Sequence, residues 1–314
     1  MIIIKIFSVF LIIILGIFFR KKRFISSITI KEISLIITKV FYPSLIFSSF
    51  IKNFNTSDLL RNYLLPVGTI LIMVCGYIYG IIFSQFFIFK DQKEKDVFRF
   101  QCTINNYSFL PLPIILFLYG EKYVSMLILS TFGSEISVWT IGILALTGNR
   151  FKKENLKNLL SIPIISIIIS VITIFLKDII SIENQTLIET GRTILNVINL
   201  MGNATIPIAL FIAGAKMGEI EIKKIFLFKT LILSILRLLV IPLTSILLFN
   251  IFSFPSDIMK VLNIVAIMPT AIASIVLSEA FESDSQFAAE SVVLTHLLSL
   301  FTIPIFLTFF NKIF

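Results

Sequence analysis

The chain has 314 residues, of which 57% are hydrophobic and only 14% are charged, and its mean hydropathy is +1.01. Soluble domains are about 45–50% apolar and about 25% charged, so this composition excludes an ordinary soluble enzyme, a disordered protein and a secreted disulfide scaffold. The formal net charge is +9, but the basic residues lie in short clusters between apolar runs, which favours a role in membrane orientation over nucleic-acid binding. Cys75 and Cys102 form no metal-ligand motif.

The apolar runs predict an all-α polytopic membrane protein, because about 20 apolar residues in a helix cross the roughly 30 Å hydrocarbon layer. Ten transmembrane helices are predicted, over residues 2–19, 29–51, 63–89, 97–118, 123–148, 159–180, 188–214, 225–251, 258–281 and 286–310. The first apolar run is followed by Arg20-Lys21-Lys22-Arg23 instead of a small-residue cleavage site. We therefore expect a retained transmembrane helix there and not a signal peptide.

Basic residues are shared unevenly between the two sets of loops. Seventeen of the 27 Lys and Arg residues lie in or beside odd-numbered loops, against eight in even-numbered loops and at the termini. Because cytoplasmic loops are enriched in Lys and Arg, the odd-numbered loops are predicted to be cytoplasmic. Both termini are then extracytoplasmic, in a multi-pass protein of the cell membrane that is surrounded by lipid.

The basic segment from Arg150 to Lys157 divides the chain into two blocks of five helices, residues 1–150 and 151–314. Because five is odd, the second block must have the opposite topology, which is the 5+5 inverted-repeat arrangement of many secondary transporters. Two weak sequence echoes agree with a repeat. The segment 43–47 in predicted helix 2 resembles 207–211 in helix 7, and the polar break at Asn106 in helix 4 is matched by Pro269 in helix 9.

Predicted helices 4 and 9 are interrupted by proline and polar residues. The candidate substrate-binding residues of these two breaks are Asn105, Asn106, Ser108, Pro111, Pro113, Pro269, Thr270 and Ser274. Proline removes a backbone donor and frees a carbonyl group, and such a break persists in a membrane only against protein or a wet cavity. Two half-helix N-termini that face each other would bind an anion through unpaired N–H groups. The alternative is that the prolines are simple kinks whose polar groups satisfy each other.

These residues also carry a family resemblance. Asn106-x-x-Phe109-x-x-x-Pro113 followed by Tyr119-Gly120 resembles the helix-4 motif of the auxin efflux carrier (PIN-like) transporter family. The segments 268–277 and 289–304 resemble its helix-9 and helix-10 signature, and 237–242 is similar to the basic-plus-proline pattern of its helix 8. The resemblance covers essentially the whole chain. The chain departs from the family pattern at Pro111, where a small residue is usual, at Ala273, where many members have Asn, and at His296, which replaces a small hydroxyl residue.

The resemblance implies that helices 4 and 9 cross at their breaks. It also implies a scaffold of helices 1, 2, 6 and 7 beside a mobile transport bundle of helices 3–5 and 8–10, in a homodimer. Bacterial members are associated with malate or related organic anions and plant members with auxin, which is also a carboxylate. A small organic anion is therefore the expected substrate, with no cofactor and no metal.

Several ionisable residues fall inside the predicted spans, where such groups are functional candidates. Glu135 is the candidate for proton coupling, and its alternative is a structural pairing with Lys39 or Arg237. His296, the only histidine, is the second coupling candidate, and its alternative is an interhelical hydrogen bond. Lys39 is expected to extend toward the cytoplasmic face. The sequence leaves coupling to protons, sodium or membrane potential open.

Two other functions compete with transport. An intramembrane lipid-modifying enzyme or protease would need a catalytic constellation, and the chain has no His-Glu-x-x-His, no Gly-x-Ser-x-Gly and no Asp-rich pair. A substrate-sensing receptor would need a signalling domain, for which the loops are too short. The absence of a Gly-Lys-Ser/Thr phosphate-binding motif also argues against ATP-driven transport. The favoured prediction is a secondary transporter that works by alternating access, and not an enzyme.

Overall fold

The computed structural model describes residues 2–148, 160–179, 185–220 and 228–313. Within these ranges the regular structure is helical, apart from one isolated β-bridge. The α-helices of the first half are α1 (Ile2–Lys21), α2 (Ser27–Ile36), α3 (Tyr42–Asn53), α4 (Thr56–Arg61), α5 (Leu64–Phe83), α6 (Gln92–Thr103), α7 (Pro111–Tyr119), α8 (Glu121–Ser137) and α9 (Ile143–Thr147). Those of the second half are α10 (Ile162–Ile179), α11 (Gln185–Asn203), α12 (Thr205–Gly218), α13 (Phe228–Ile235), α14 (Ile241–Ile251), α15 (Ser256–Ala266), α16 (Ala273–Ala280) and α17 (Ser285–Ile313).

Several of these helices join into longer rods. The π-helical turns Ile37–Phe41, Val138–Gly142 and Leu236–Val240 connect α2 to α3, α8 to α9 and α13 to α14. Six rods in the described residues are long and apolar enough to cross a membrane: Ser27–Asn53, Thr56–Phe83, Glu121–Thr147, Gln185–Gly218, Phe228–Ile251 and Ser285–Phe310. They correspond to predicted spans 2, 3, 5, 7, 8 and 10. The chain is therefore an all-helical, multi-pass membrane protein.

The other four predicted spans have a different form. Spans 1 and 6 correspond to α1 and α10, while span 4 is divided into α6 and α7 and span 9 into α15 and α16. The count of ten and the 5+5 repeat stay predictions. The boundary predicted between residues 150 and 151, and the basic segment around it, lie outside the described residues.

The sequence placed the end of one helix and the start of the next wrongly. Predicted span 3 ends at Phe83 and not at 89, because Phe87 and Phe89 pack their rings against Phe98 of α6 instead of extending the helix. Predicted span 4 starts five residues early, at Gln92. Its N-cap is Asp91, whose carboxylate accepts the backbone N–H of the third helical residue at 2.9 Å.

Close helix packing divides the molecule into two groups. In the first group (α1–α3 and α10–α12), Gly16 and Gly214 bring α1 and α12 together so closely that an added Cβ at either would lie 2.0 Å from a backbone oxygen of the other helix. In the second group (α5–α9 and α13–α17), an added Cβ at Gly76 would lie 2.2 Å from the Cys102 oxygen of α6. In the described parts of the chain, every such close glycine contact stays inside one group.

Hydrogen bonds between the groups occur at one end of the molecule. The Asn53 side-chain amide at the end of α3 donates to the Ser125 hydroxyl of α8 at 2.9 Å, and Ser125 donates to the Ser49 carbonyl at 3.0 Å. Each group is thus tightly packed internally, while these two bonds link the groups beside an apolar contact surface.

Replacing Gly214 tests the tight packing of α1 on α12. We expect Gly214→Ala to lower the free energy of unfolding by about 1–3 kcal/mol, because the new methyl group meets the Ile13 backbone, which cannot move aside like a flexible side chain. The matched control is Gly191→Ala on α11, where an added Cβ meets nothing within 4 Å. Thermal unfolding in detergent measures both variants, and equal midpoints for the two would contradict this packing.

Candidate functional site

The two helix breaks lie against each other. Asn105 and Thr270 form an antiparallel β-bridge, in which Asn106 N–H donates to the Pro269 carbonyl at 2.8 Å. Ala271 N–H donates in turn to the carbonyl of residue 104 at 3.3 Å. Each extended break therefore satisfies part of the other's backbone, as membrane burial requires.

The C-terminal ends of the two half-helices share one cation. Arg237, in the π-helical turn Leu236–Val240, is fully buried, and its guanidinium donates to the Cys102 carbonyl of α6 at 3.2 Å and to the Ala266 carbonyl of α15 at 2.8 Å. These carbonyls carry the negative ends of two helix dipoles, which compensate the arginine charge. Arg237 thus holds the two helix ends together and satisfies their carbonyl acceptors with hydrogen bonds.

The N-terminal ends of the other half-helices are left open. Among the described residues, the backbone N–H groups of Ser108 and Phe109 before α7, and of Ile272 and Ala273 at α16, have no hydrogen-bond acceptor. Unpaired donors at helix N-termini carry partial positive charge and bind anions. The half-helix starts at α7 and α16 therefore retain free backbone donors, whereas the ends of α6 and α15 are paired with Arg237.

All four of these residues line one cavity of about 170 Å³, which we name the break cavity. Its remaining wall comes from α2, the adjoining π-helical turn and α12. The full lining is Ser34, Ile37, Thr38, Asn105, Asn106, Tyr107, Ser108, Phe109, Ala209, Ile212, Ala213, Lys216, Ala271, Ile272 and Ala273. The cavity thus lies between the two helix groups, with the breaks on one side and the first group on the other.

Three of the predicted binding residues lie at this cavity. Asn105 donates through its side-chain amide to the Val265 carbonyl at 2.5 Å, while its side-chain oxygen has no partner among the described residues. The Asn106 amide nitrogen lies 3.4 Å from Nε2 of His296. Ser108 is buried, with a hydroxyl that is likewise unpaired in the described part of the chain. Asn105, Asn106 and Ser108 can therefore supply polar contacts in addition to the backbone donors.

The other predicted binding residues do not line the break cavity. Pro111 is buried at the start of α7, and Pro269 contributes its carbonyl to the contact between the breaks. The Thr270 hydroxyl pairs with that of Thr295 at 2.8 Å, and the Ser274 hydroxyl accepts from Gln101 at 2.9 Å. These residues shape the breaks and join them to α6 and α17.

Pro113 lines a different space, the second cavity, of about 380 Å³. This cavity also lies between the helix groups, near the bonds made by Ser125. Its lining comprises Val9, Ile12, Leu45, Ser49, Lys52, Asn53, Pro113, Leu116, Phe117, Glu121, Val124, Asn199, Asn203, Ile206, Pro207 and Leu210. The ring of Phe109 in the break cavity packs on Tyr42 at 5.6 Å, in the apolar layer beside both cavities.

Glu135 is joined to the break cavity through one residue. Tyr107, which lines the cavity, donates its hydroxyl to the Glu135 carboxylate at 2.9 Å. The alternative in which Glu135 pairs with Arg237 is wrong, because the arginine donates to backbone carbonyls. Lys39 is exposed, in agreement with an outward extension, and makes no ion pair with Glu135.

His296 does not line the break cavity but contacts Asn106, which does. Its Nδ1 lies 2.8 Å from the Val292 carbonyl, and since a carbonyl can only accept, Nδ1 carries the proton. In the neutral ring Nε2 is then an acceptor for the Asn106 amide, which orients that side chain at the cavity. His296 is thus an interhelical hydrogen-bonding group, as in the alternative weighed from the sequence.

Sequence reasoning missed two features of the site. Lys216 was counted among the residues of a predicted loop, but it lines the cavity from the last turn of α12. Tyr107 stands in the predicted break, yet its link to Glu135 joins residues 28 positions apart and has no local sequence signal. A tyrosine inside a polar break was the one available hint.

Comparison with known proteins supplies a family. A family model described as "Membrane transport protein" matches residues 1–162 and 143–307. A protein of Methanocaldococcus jannaschii named as an uncharacterized transporter is 27% identical over 284 residues, an alignment that covers 88% of each chain. The similarity extends through both helix breaks.

Replacing Arg237 tests its role at the half-helix ends. Arg237→Met leaves two buried carbonyls without donors, and each such loss costs about 1–3 kcal/mol, partly offset by removal of a buried charge. We expect a lower thermal unfolding midpoint and loss of transport. Arg192→Met on the exposed surface of α11 is the control for the change in charge. A stable, fully active Arg237→Met protein would overturn this role.

Proposed function

The chain belongs to the auxin efflux carrier (PIN-like) family of membrane transport proteins, and we propose that it carries a small organic anion, such as a carboxylate, by alternating access at the two helix breaks. It is a membrane transporter and not an enzyme.

The free N–H groups at the break cavity carry the proposal for an anion. Four residues with unpaired N–H groups line this one space, and Asn106 contributes its side chain to the same lining. A carboxylate would satisfy donors that protein groups leave unpaired, and its negative charge would meet the positive ends of two helix dipoles. The volume of about 170 Å³ suits a small solute.

The packing of the helices supports alternating access. Close backbone contacts at glycine hold each helix group together, whereas cavities and an apolar surface separate the groups. The second group carries both breaks, so its movement against the first would carry the site from one cavity toward the other. The first group corresponds to the scaffold, and the second to the transport bundle, that the family resemblance implies. We propose that these bundles belong to a ten-span inverted repeat in which helices 4 and 9 cross. We place the protein in the cell membrane as a homodimer, with both termini extracytoplasmic.

Coupling to protons is proposed through Glu135. Its carboxylate receives the hydroxyl of Tyr107, a residue of the cavity wall, so a proton on Glu135 changes the hydrogen bonding next to the substrate. A buried carboxyl group at such a place is a functional candidate in a membrane protein.

The direct test of the anion site removes one backbone donor. Ala273→Pro deletes an N–H that has no acceptor, at the first position of α16, where proline is compatible with a helix. The equivalent position of α7 already carries Pro111 after a residue of the same backbone conformation. We expect about a tenfold weaker apparent affinity for the transported anion, the value of roughly one charge-assisted hydrogen bond.

The control for this test is Ala273→Gly, which keeps the N–H group. A thermal-shift screen of the purified wild type against mono- and dicarboxylates first selects the anion, and uptake into proteoliposomes then compares the variants. Unchanged affinity in Ala273→Pro would remove the half-helix ends from the binding site. A wild type that neither binds nor transports any carboxylate would overturn the proposed cargo.

Replacing Glu135 tests coupling. Glu135→Gln removes the group that binds the proton, so we expect the pH dependence of transport to flatten, with the carrier still inserted in the membrane. Glu189→Gln on the exposed surface of α11 makes the same change in charge and serves as the control. A pH profile identical to that of the wild type would return Glu135 to a structural role beside Tyr107.

A further inference from the structure

Among the residues described, Lys216 is the one charged side chain in the lining of the break cavity. It stands in the last turn of α12 and is half-buried. Its ammonium group makes no hydrogen bond and no ion pair with any described residue. A buried or half-buried cation is normally paired, because desolvation of an unpaired charge is unfavourable.

Two carboxylates lie within electrostatic range of Lys216, but neither forms an ion pair with it in the described structure. Glu219, one turn further along the chain, accepts from Arg20 of α1 at 3.2 Å and is therefore already paired. Glu279 of α16 is within electrostatic range of the lysine but is exposed and forms no ion pair in the described structure. The positive charge of Lys216 therefore remains directed to the cavity.

Lys216 and the backbone donors belong to different helix groups. The lysine is on α12, which close contacts at Gly16 and Gly214 fix to α1, whereas the free N–H groups belong to the breaks of the second group. In this structure the lysine and the donor residues line the same cavity, so Lys216 can contact an anion bound there. A movement of the breaks away from α12 would end that contact.

We propose that Lys216 is a specificity-determining residue that binds the anionic group of the substrate only when the site is open toward the end of α12. This inference rests on the proposed function and adds a prediction that the helix breaks alone do not make. The apparent affinity for the anion is higher on the side where α12 ends, which the loop charges predict to be cytoplasmic. The lysine thereby gives the carrier a built-in asymmetry between its two faces.

The test measures transport from each side separately. Wild type and Lys216→Met are reconstituted in proteoliposomes of known orientation, with radiolabelled malate as the dicarboxylate probe and benzoate as the monocarboxylate probe. We expect KM on the side of the α12 end to rise roughly five- to tenfold, with the maximal rate unchanged, which corresponds to loss of one charge-assisted contact. KM on the opposite side should change by less than about twofold, within the effect of an exposed charge.

Two matched variants and the salt concentration distinguish this role from a structural one. Lys31→Met makes the same change in charge at an exposed position of α2 and should leave both KM values unchanged. Glu279→Gln removes a competing negative charge and should lower KM on the α12 side. Raising the ionic strength should raise the wild-type KM on that side and narrow its difference from Lys216→Met, because salt screens a half-exposed charge.

The outcomes separate this inference from the proposed function. Wild-type transport of either probe, combined with equal KM changes on both faces or no change in Lys216→Met, would overturn the role of the lysine and leave the carrier intact. If the wild type transports neither probe, nor any carboxylate selected by the thermal-shift screen, the proposed cargo is overturned, and the inference about Lys216 falls with it.

Discussion

Unpaired backbone groups at the two helix breaks govern this structure. A membrane-buried helix that stops leaves both carbonyl acceptors and N–H donors without intrahelical partners, and lipid supplies none. Here the acceptors at the ends of α6 and α15 receive the guanidinium of Arg237, and the extended residues between the half-helices bond to one another. The N–H groups of Ser108, Phe109, Ile272 and Ala273 have no acceptor among the described residues, and these four residues line one cavity.

The same arrangement gives the site its polarity. Arg237 compensates the two negative helix ends, so that an additional cation there would meet a fixed positive charge. In the part of the chain that the structure describes, the two positive ends have no matching carboxylate in the cavity lining, and the charged side chain of that lining is the cation Lys216. An anion bound in the cavity, as we propose, would therefore complete the charge balance of the breaks.

The position of the glycines explains how such a site is compatible with movement. A glycine whose added Cβ would meet backbone about 2 Å away fixes two helices at a distance that side chains do not allow. Because the described glycines form these contacts only within a group, the groups behave as compact bodies, while the surface between them consists of apolar side chains and cavities. At the end of α3 this surface is bridged by two hydrogen bonds, one that Ser125 accepts from Asn53 and one that it donates to the Ser49 carbonyl.

Much of the fold was predictable because composition and local pattern determine it. Apolar length predicts helices, and Asn105, Asn106 and Pro269 mark the breaks by their chemistry alone. The specific contacts could not be predicted for a physical reason. The donors of Arg237 reach carbonyls 135 and 29 positions away, and no local pattern encodes which helix end lies beside a given arginine.

The position of Lys216 at the cavity likewise could not be predicted from the local sequence. A lysine at the end of an apolar segment is usually a membrane-surface residue, so a count of loop charges assigns it to topology. Its second role depends on α12 lying opposite the breaks, a position that the close contacts of Gly16 and Gly214 with the neighbouring backbone determine. The charge of Lys216 thus contributes to the orientation of the protein in the membrane. In the proposed mechanism the same residue also selects the substrate, because the last turn of α12 places it at the break cavity.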